Sequence, residues 1–212
     1  MGKFIYDKWA RKYDNLMKHH RYFSTLKYFI KSLMLPLSHE TPHILDLGCG
    51  TGVTTQVLKE KYPQSKITGF DYSHEMLKIY KKRNPEIQTI TGNYNDESSF
   101  KIFPEGKIFR FESDHYDLVV SSTSISEYGI PQKIFPFVYR ILKSGGLFLI
   151  IGIKDNLIGY LSGKVWHFSP LGERTMLQSF ELSHFTQIQS LKIAWKLFPM
   201  NIMKYAVLSK KP

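Results

Sequence analysis

A single cysteine, Cys49, is present in the chain, so no intramolecular disulfide can form and a reducing, cytoplasmic setting is expected. Long apolar runs are missing too: the longest, residues 147–153, falls far short of the ~20 residues a membrane helix needs. The opening MGKFIYDKWARKYD is charged and aromatic without an apolar core segment, which argues against a secretory signal. No block of five like charges occurs, which excludes strongly basic or acidic tails. C-x-x-C is absent, and His19 and His20 are adjacent, a spacing that does not put two ligands on one helix face. No metal site is expected. Repeats, linkers and low-complexity stretches are lacking as well, which leaves one domain over residues 1–212 as the simplest organisation.

Positive charge and aromatic rings are abundant. The 29 Lys and Arg against 18 Asp and Glu give a formal net charge of +11, which favours anionic partners in general: nucleic acid, acidic lipid surfaces, or a phosphorylated or carboxylated metabolite. Lysine is spread over most segments, so the excess reads first as a solvated basic surface. The 13 Tyr and 15 Phe bring the aromatic content to a high 15%; most of these rings are expected to pack in the core and some to line a pocket.

The organising stretch is residues 44–52, ILDLGCGTG. Residues 43–47 read as a short buried strand, three glycines follow at alternate positions, and Val53 opens a helical pattern. Glycine accepts positive φ and has no Cβ, so the chain can turn sharply and a ligand can lie against its backbone. The helix that follows brings free N–H groups and the positive end of its dipole. About twenty residues on, Asp71 falls at the end of a second strand, residues 66–70. An acidic side chain there accepts hydrogen bonds from both ribose hydroxyls of a nucleoside cofactor in doubly wound folds. The alternative, capping the helix at residues 73–83, is a task that Ser73 can perform.

Asp46, Gly48, Gly50 and Gly52, followed by Asp71, resemble the first two motifs of the class I S-adenosylmethionine-dependent methyltransferases. A dinucleotide-binding dehydrogenase would carry a third glycine three residues after Gly50, where this chain has Val53. The resemblance runs from Tyr6 to Lys210. It implies an α/β fold with a doubly wound, Rossmann-like sheet of seven strands, mostly parallel with an antiparallel last strand and helices on both faces. It also implies S-adenosylmethionine as the methyl donor, held by Asp46, the three glycines, Asp71 and Tyr72, with Met76 near the adenine. The third strand, residues 87–91, leads to Asn93 and Tyr94. The family pattern has Asp at the Asn93 position, accepting from the adenine amino group; an amide oxygen can still accept that bond. The backbone carbonyl near Ser121, at the end of the fourth strand (116–121), is implied for the donor's amino group.

Several segments lie outside these motifs. A W-A-x-x-Y-D pattern with Tyr6, Trp9, Tyr13 and Asp14 is similar to a segment that forms an N-terminal helix or lid in many small-molecule methyltransferases; with the amphipathic helix at 26–37, that resemblance implies a helical cap over residues 1–40 and makes Tyr13 a candidate to touch donor or acceptor. Further helices are expected at 53–62, 134–142 and 169–182, the last started by Ser169 and Pro170. A fifth strand is expected within 143–153, and the last two at 185–197 and 203–208. Residues 100–111, FKIFPEGKIFRF, alternate around a short turn and read as an inserted hairpin. Residues 154–168 are aromatic and polar and are expected to cover the site. Glu127 and His167 are candidate bases.

An activated sulfonium methyl needs alignment more than acid–base machinery, so no triad is required. The expected activity is methyl transfer by in-line displacement to O, N or C of a small, acidic metabolite, acidity being suggested by the net charge. RNA or protein is the less favoured acceptor; the (Asp/Asn)-Pro-Pro-(Tyr/Phe) that amino-methylating DNA enzymes of the family carry after strand four is replaced by SSTS, which argues against that branch, whereas some RNA enzymes lack the motif. A non-catalytic donor-binding module is the remaining alternative.

Overall fold

The computed structural model describes residues 2–19, 21–37 and 39–212, with side chains from Tyr6 onward. Two helices, α1 (Gly2–His19) and α2 (Tyr22–Ser32), precede the sheet. Strand and helix then alternate: β1 (His43–Leu47), α3 (Val53–Lys61), β2 (Lys66–Asp71), α4 (His74–Arg83) and β3 (Gln88–Asn93). Next come β4 (Asp96–Ile102), β5 (Tyr116–Ser122), the short α5 (Ser124–Tyr128), α6 (Pro131–Ile141) and β6 (Leu142–Ile153). The chain closes with α7 (Leu157–Trp166), α8 (Glu173–Leu182), β7 (Thr186–Ser190), a one-turn α9 (Met200–Met203) and β8 (Lys204–Lys210).

The sheet order is β4-β3-β2-β1-β5-β6-β8-β7. The strands β3, β2, β1, β5 and β6 are parallel, β4 runs antiparallel to β3, and β8 runs antiparallel to both β6 and β7. Successive side chains on a strand point to opposite faces, and here both faces are covered. Leu45, Val119 and Phe148 enter one core with Phe135 of α6 and Phe180 of α8. Ile44, Leu118 and Leu149 enter the other with Ile30 of α2, Leu58 of α3 and Tyr80 of α4. That two-sided burial is why the central strands read as nearly unbroken apolar runs.

The doubly wound class is as expected, but the sheet has eight strands where the sequence suggests seven. The hairpin at 100–111 does close: Ile102 N–H donates to Lys107 O and Phe109 N–H to Phe100 O. Its first limb extends back to Asp96 and pairs with β3, which makes it the eighth strand. The segment at 185–197 is a strand only over β7 and then passes through a turn of 3-10 helix at Trp195–Leu197. The helix expected from Ser169 begins later, at Glu173 with Gly172 as N-cap, and Leu171 N–H donates to Ser126 O ahead of it. Residues 154–168 hold α7, whose N-cap Asn156 accepts from Gly159 N–H at 3.0 Å. Asn156→Ala is expected to cost about 0.5–2 kcal/mol of stability; an unchanged urea midpoint would contradict that capping role.

Candidate active site

The carboxyl ends of β1 and β5 mark the point where the strand order reverses, the place where open α/β sheets bind ligands. After β1 the chain enters the glycine loop, and the N–H groups of Gly48 and Cys49 both donate to Phe70 O, at 2.8 and 2.9 Å. These bonds tie the loop to the end of β2. Gly48 has φ +86°, and a Cβ there would lie 2.2 Å from Ser124 Cβ, so only glycine lets α5 approach. Gly50 has φ +53°, and a Cβ would meet no atom within 4 Å. Its backbone faces open space.

That space is a cavity of about 270 Å³. Its floor is Gly48 to Thr51, and one side is Asp71, Tyr72, Ser73 and Met76. Asn93 and Tyr94 stand at the end of β3, and Ser122 to Ser124 with Glu127 and Tyr128 close the far side. Tyr6 and Tyr13 of α1 and Tyr22, Phe23 and Leu26 of α2 face it from above. Two carboxylates dock α1: Asp7 accepts from Ser73 Oγ at 2.5 Å, and Asp14 accepts from Thr51 Oγ at 2.7 Å while pairing with Arg83.

Asp71 links strand, loop and helix. Its Oδ2 accepts Gly50 N–H and its Oδ1 accepts Ser73 N–H, both at 2.8 Å. Burial pushes its pKa up to about 6, opposed by backbone hydrogen bonds from Ser73, Gly50 and Tyr72. A carboxylate offers about four acceptor sites, so it can take a further donor beside these three. Helix capping falls to Ser73, whose Oγ accepts from Met76 N–H at 3.2 Å.

Other residues singled out in the sequence sit elsewhere. Asp46 is fully buried beneath the loop rather than on the cavity wall. Its Oδ2 accepts from Thr55 Oγ at 2.6 Å, its Oδ1 has no partner, and burial pushes its pKa up to about 7. Gly52 caps α3 outside the lining. Asn93 does face the cavity, with its Oδ1 accepting from Asn95 N–H at 3.0 Å, and Tyr94 Oη donates to Ser124 O at 3.0 Å. Ser121 is wholly buried with its Oγ accepting from Ile125 N–H at 3.4 Å, so the wall passes to the next three residues. Among those, Thr123 holds φ +72°, a genuine outlier for a β-branched residue, fixed by its N–H bond to Ile151 O at 2.6 Å.

The structure brings two of the three candidate catalytic residues together. Glu127 accepts from Tyr6 Oη at 2.5 Å, and Tyr13 packs edge-on to Tyr6 with ring centres 6.0 Å apart. Burial raises the Glu127 pKa and lowers that of Lys204, the charge of each partly offsetting the shift of the other. His167 is exposed, ends α7 with φ +57° and stands outside the cavity lining. Its neighbour Trp166 is instead stacked on Tyr6, at 5.5 Å and 17° between planes. The sequence contains no local signal for that contact or for Tyr22 and Ser122, whose hydroxyls lie 3.2 Å apart across the cavity.

Among the described residues, no helix is long and apolar enough to cross a membrane. The family profile of a methyltransferase domain matches residues 38–191. Trans-aconitate 2-methyltransferase of Acidovorax sp. (strain JS42) is 32% identical over 126 residues, 59% of this chain and 43% of its own length. Demethylmenaquinone methyltransferase of Thermotoga maritima is 25% identical over 164 residues, 77% of this chain and 66% of its own. This chain therefore spans less than half of the first of these relatives and about two thirds of the second. Among solved structures, an S-adenosylmethionine-dependent methyltransferase of Thermotoga maritima, a possible histamine N-methyltransferase, superposes with a TM-score of 0.73 at 17% identity over 100% of both chains. Geranyl diphosphate C-methyltransferase of Streptomyces coelicolor superposes with a TM-score of 0.70 at 14% identity, over 91% of this chain and 82% of that one. The glycine loop, the acidic end of β2, the doubly wound sheet and the profile match together make this chain a member of the class I S-adenosylmethionine-dependent methyltransferases.

Proposed function

We propose that this protein transfers a methyl group from S-adenosylmethionine to a small-molecule acceptor. The observation that carries this reading is Asp71: its carboxylate is fixed by Gly50 and Ser73 in the wall of the cavity, with acceptor capacity left for a ribose hydroxyl. The open space beside Gly50 fits the same donor, since backbone with no Cβ lets the methionine half lie close. Met76 supplies an apolar face for the adenine, and the Asn93 amide lies beside it. When bound, the donor supplies an activated methyl group. The chain's own residues then hold the partners in line, which is worth on the order of 7–11 kcal/mol of the barrier. The helices α1 and α2 act as the cap that excludes water, and α7 with Trp166 backs that cap.

The relatives named above support small acceptors, and a cavity roofed by α1 and α2 fits a metabolite better than a polymer. We place the protein in the cytoplasm as a single domain, in keeping with its one buried thiol, Cys49. The test is incubation with methyl-labelled donor and a panel of carboxylate, phenol, quinol and amine acceptors. Transfer to a small acceptor is the expected result. Donor binding without transfer to any acceptor would instead indicate a binding module.

A further inference from the structure

The surface and the cavity of this protein carry opposite chemistry. The chain has a net charge of +11, yet no Lys, Arg or His lines the cavity among the described residues, whereas Asp71 and Glu127 both do. Asp71 is taken up by the glycine loop and, on the reading above, by the ribose. Glu127 is different. Its Oε2 accepts the Tyr6 hydroxyl, and its Oε1 has no hydrogen-bond partner among the described residues.

Aromatic rings surround that carboxylate. Tyr6 lies 6.1 Å from Tyr128 and 6.0 Å from Tyr13, edge to face in both pairs, and Tyr13 in turn lies 6.3 Å from Phe23. Trp166 stacks behind Tyr6 and locks this wall. The faces of such rings attract cations, and a desolvated ring cluster with one carboxylate is the usual way to hold an ammonium group. A ring elsewhere in the cavity wall faces one already: Lys204 Nζ lies 5.0 Å from the Tyr22 ring centre and is itself outside the cavity lining. Its charge offsets part of that of Glu127 but leaves the cavity wall without a positive group.

We propose that Glu127 and the rings of Tyr6, Tyr13 and Tyr128 form the acceptor subsite and that it takes a cationic amine rather than a carboxylate or phosphate. This rests on the methyltransferase reading and narrows it. A carboxylate in this subsite would face Glu127, with Lys204 behind the wall and no cation in the lining to pair with it. An amine meets an acceptor oxygen and ring faces.

Equilibrium binding of histamine, tetramethylammonium and trans-aconitate, measured with and without saturating S-adenosylhomocysteine, tests the proposal. The expected result is that both cations bind at least tenfold more tightly than trans-aconitate. Glu127→Gln should weaken cation binding at least tenfold, and Tyr6→Phe, which keeps the ring and loses only the hydroxyl, should weaken it less. Both variants should unfold cooperatively. Tighter binding of trans-aconitate, or cation binding unchanged by Glu127→Gln, overturns the proposal. So does a Glu127→Gln variant that loses affinity for S-adenosylmethionine but not for S-adenosylhomocysteine or the amines, because the rings would then serve the sulfonium. Failure of S-adenosylhomocysteine to bind the wild-type protein contradicts the methyltransferase reading instead, while cation binding without it still supports the ring subsite.

Discussion

Asp71→Ala is expected to weaken S-adenosylmethionine binding by about 1.5–3 kcal/mol, the range for hydrogen bonds to a charged group. The same change frees the N–H groups of Gly50 and Ser73, so the loop should also lose part of its fixed shape. Asp71→Asn keeps one acceptor oxygen and should fall between wild type and Ala. The wild-type affinity should also depend on pH. Hydroxyl donors prefer the ionised carboxylate, so binding should weaken as pH falls through about 6, where Asp71 gains its proton. Asp71→Asn should lack that inflection. Stability without ligand runs the other way. Burial raises Asp71 from 3.8 to about 6 and Asp46 from 3.8 to about 7, so the folded state holds more protons than the unfolded state between those values. Their contribution is therefore present below pH ~4 and is lost as pH rises through the folded values. Calorimetric titration across pH 5–8 reads the binding effect; an affinity unchanged by Asp71→Ala would remove the ribose assignment.

Gly48→Ala is expected to be the most damaging single methyl group in the loop. The new Cβ would sit 2.2 Å from Ser124 Cβ at φ +86°, so both packing and backbone oppose it. Overpacking and the left-handed conformation together predict a loss of about 2–5 kcal/mol. Relief requires α5 to move, and α5 carries Glu127 and abuts the strained Thr123. Donor binding should therefore fall with stability. Gly50→Ala is the control. Its Cβ meets nothing within 4 Å, so only the backbone at φ +53° resists it, at about 1–2 kcal/mol. Its methyl group enters the cavity, so binding should suffer more than folding. Denaturant midpoints and donor affinities of the two variants separate these effects. Equal stability of Gly48→Ala and wild type would show that the loop does not depend on close contact with Ser124.

The parts of this protein that were legible in the sequence are those set by local backbone chemistry. Alternate glycines after a buried strand, an acid at the end of the next strand and Ser73 before a helix all appear where their residue types require. β4 was hidden because its first residues, Asp96, Glu97, Ser98 and Ser99, show none of the apolar alternation of a half-buried strand. They form an exposed edge held by pairing with β3. The start of α8 was misplaced because Ser169 and Pro170 are good starting residues, whereas the helix begins at Glu173, after Leu171 N–H has bonded to Ser126 O. The aromatic wall was illegible for a different reason. Tyr6 and Trp166 are far apart in the chain, and their contact is created by the docking of α1 and α7. His167 was a candidate base in the sequence, yet it ends α7 at φ +57°, exposed and outside the cavity lining.

The measurement that tests the central claim most directly is calorimetric titration of the purified protein with S-adenosylmethionine, S-adenosylhomocysteine and NAD in parallel. Micromolar binding of the first two and none of NAD is the expected result. A folded protein that binds neither of the first two, or that binds NAD in their place, would contradict the assignment of the glycine loop and Asp71 to a methyl donor.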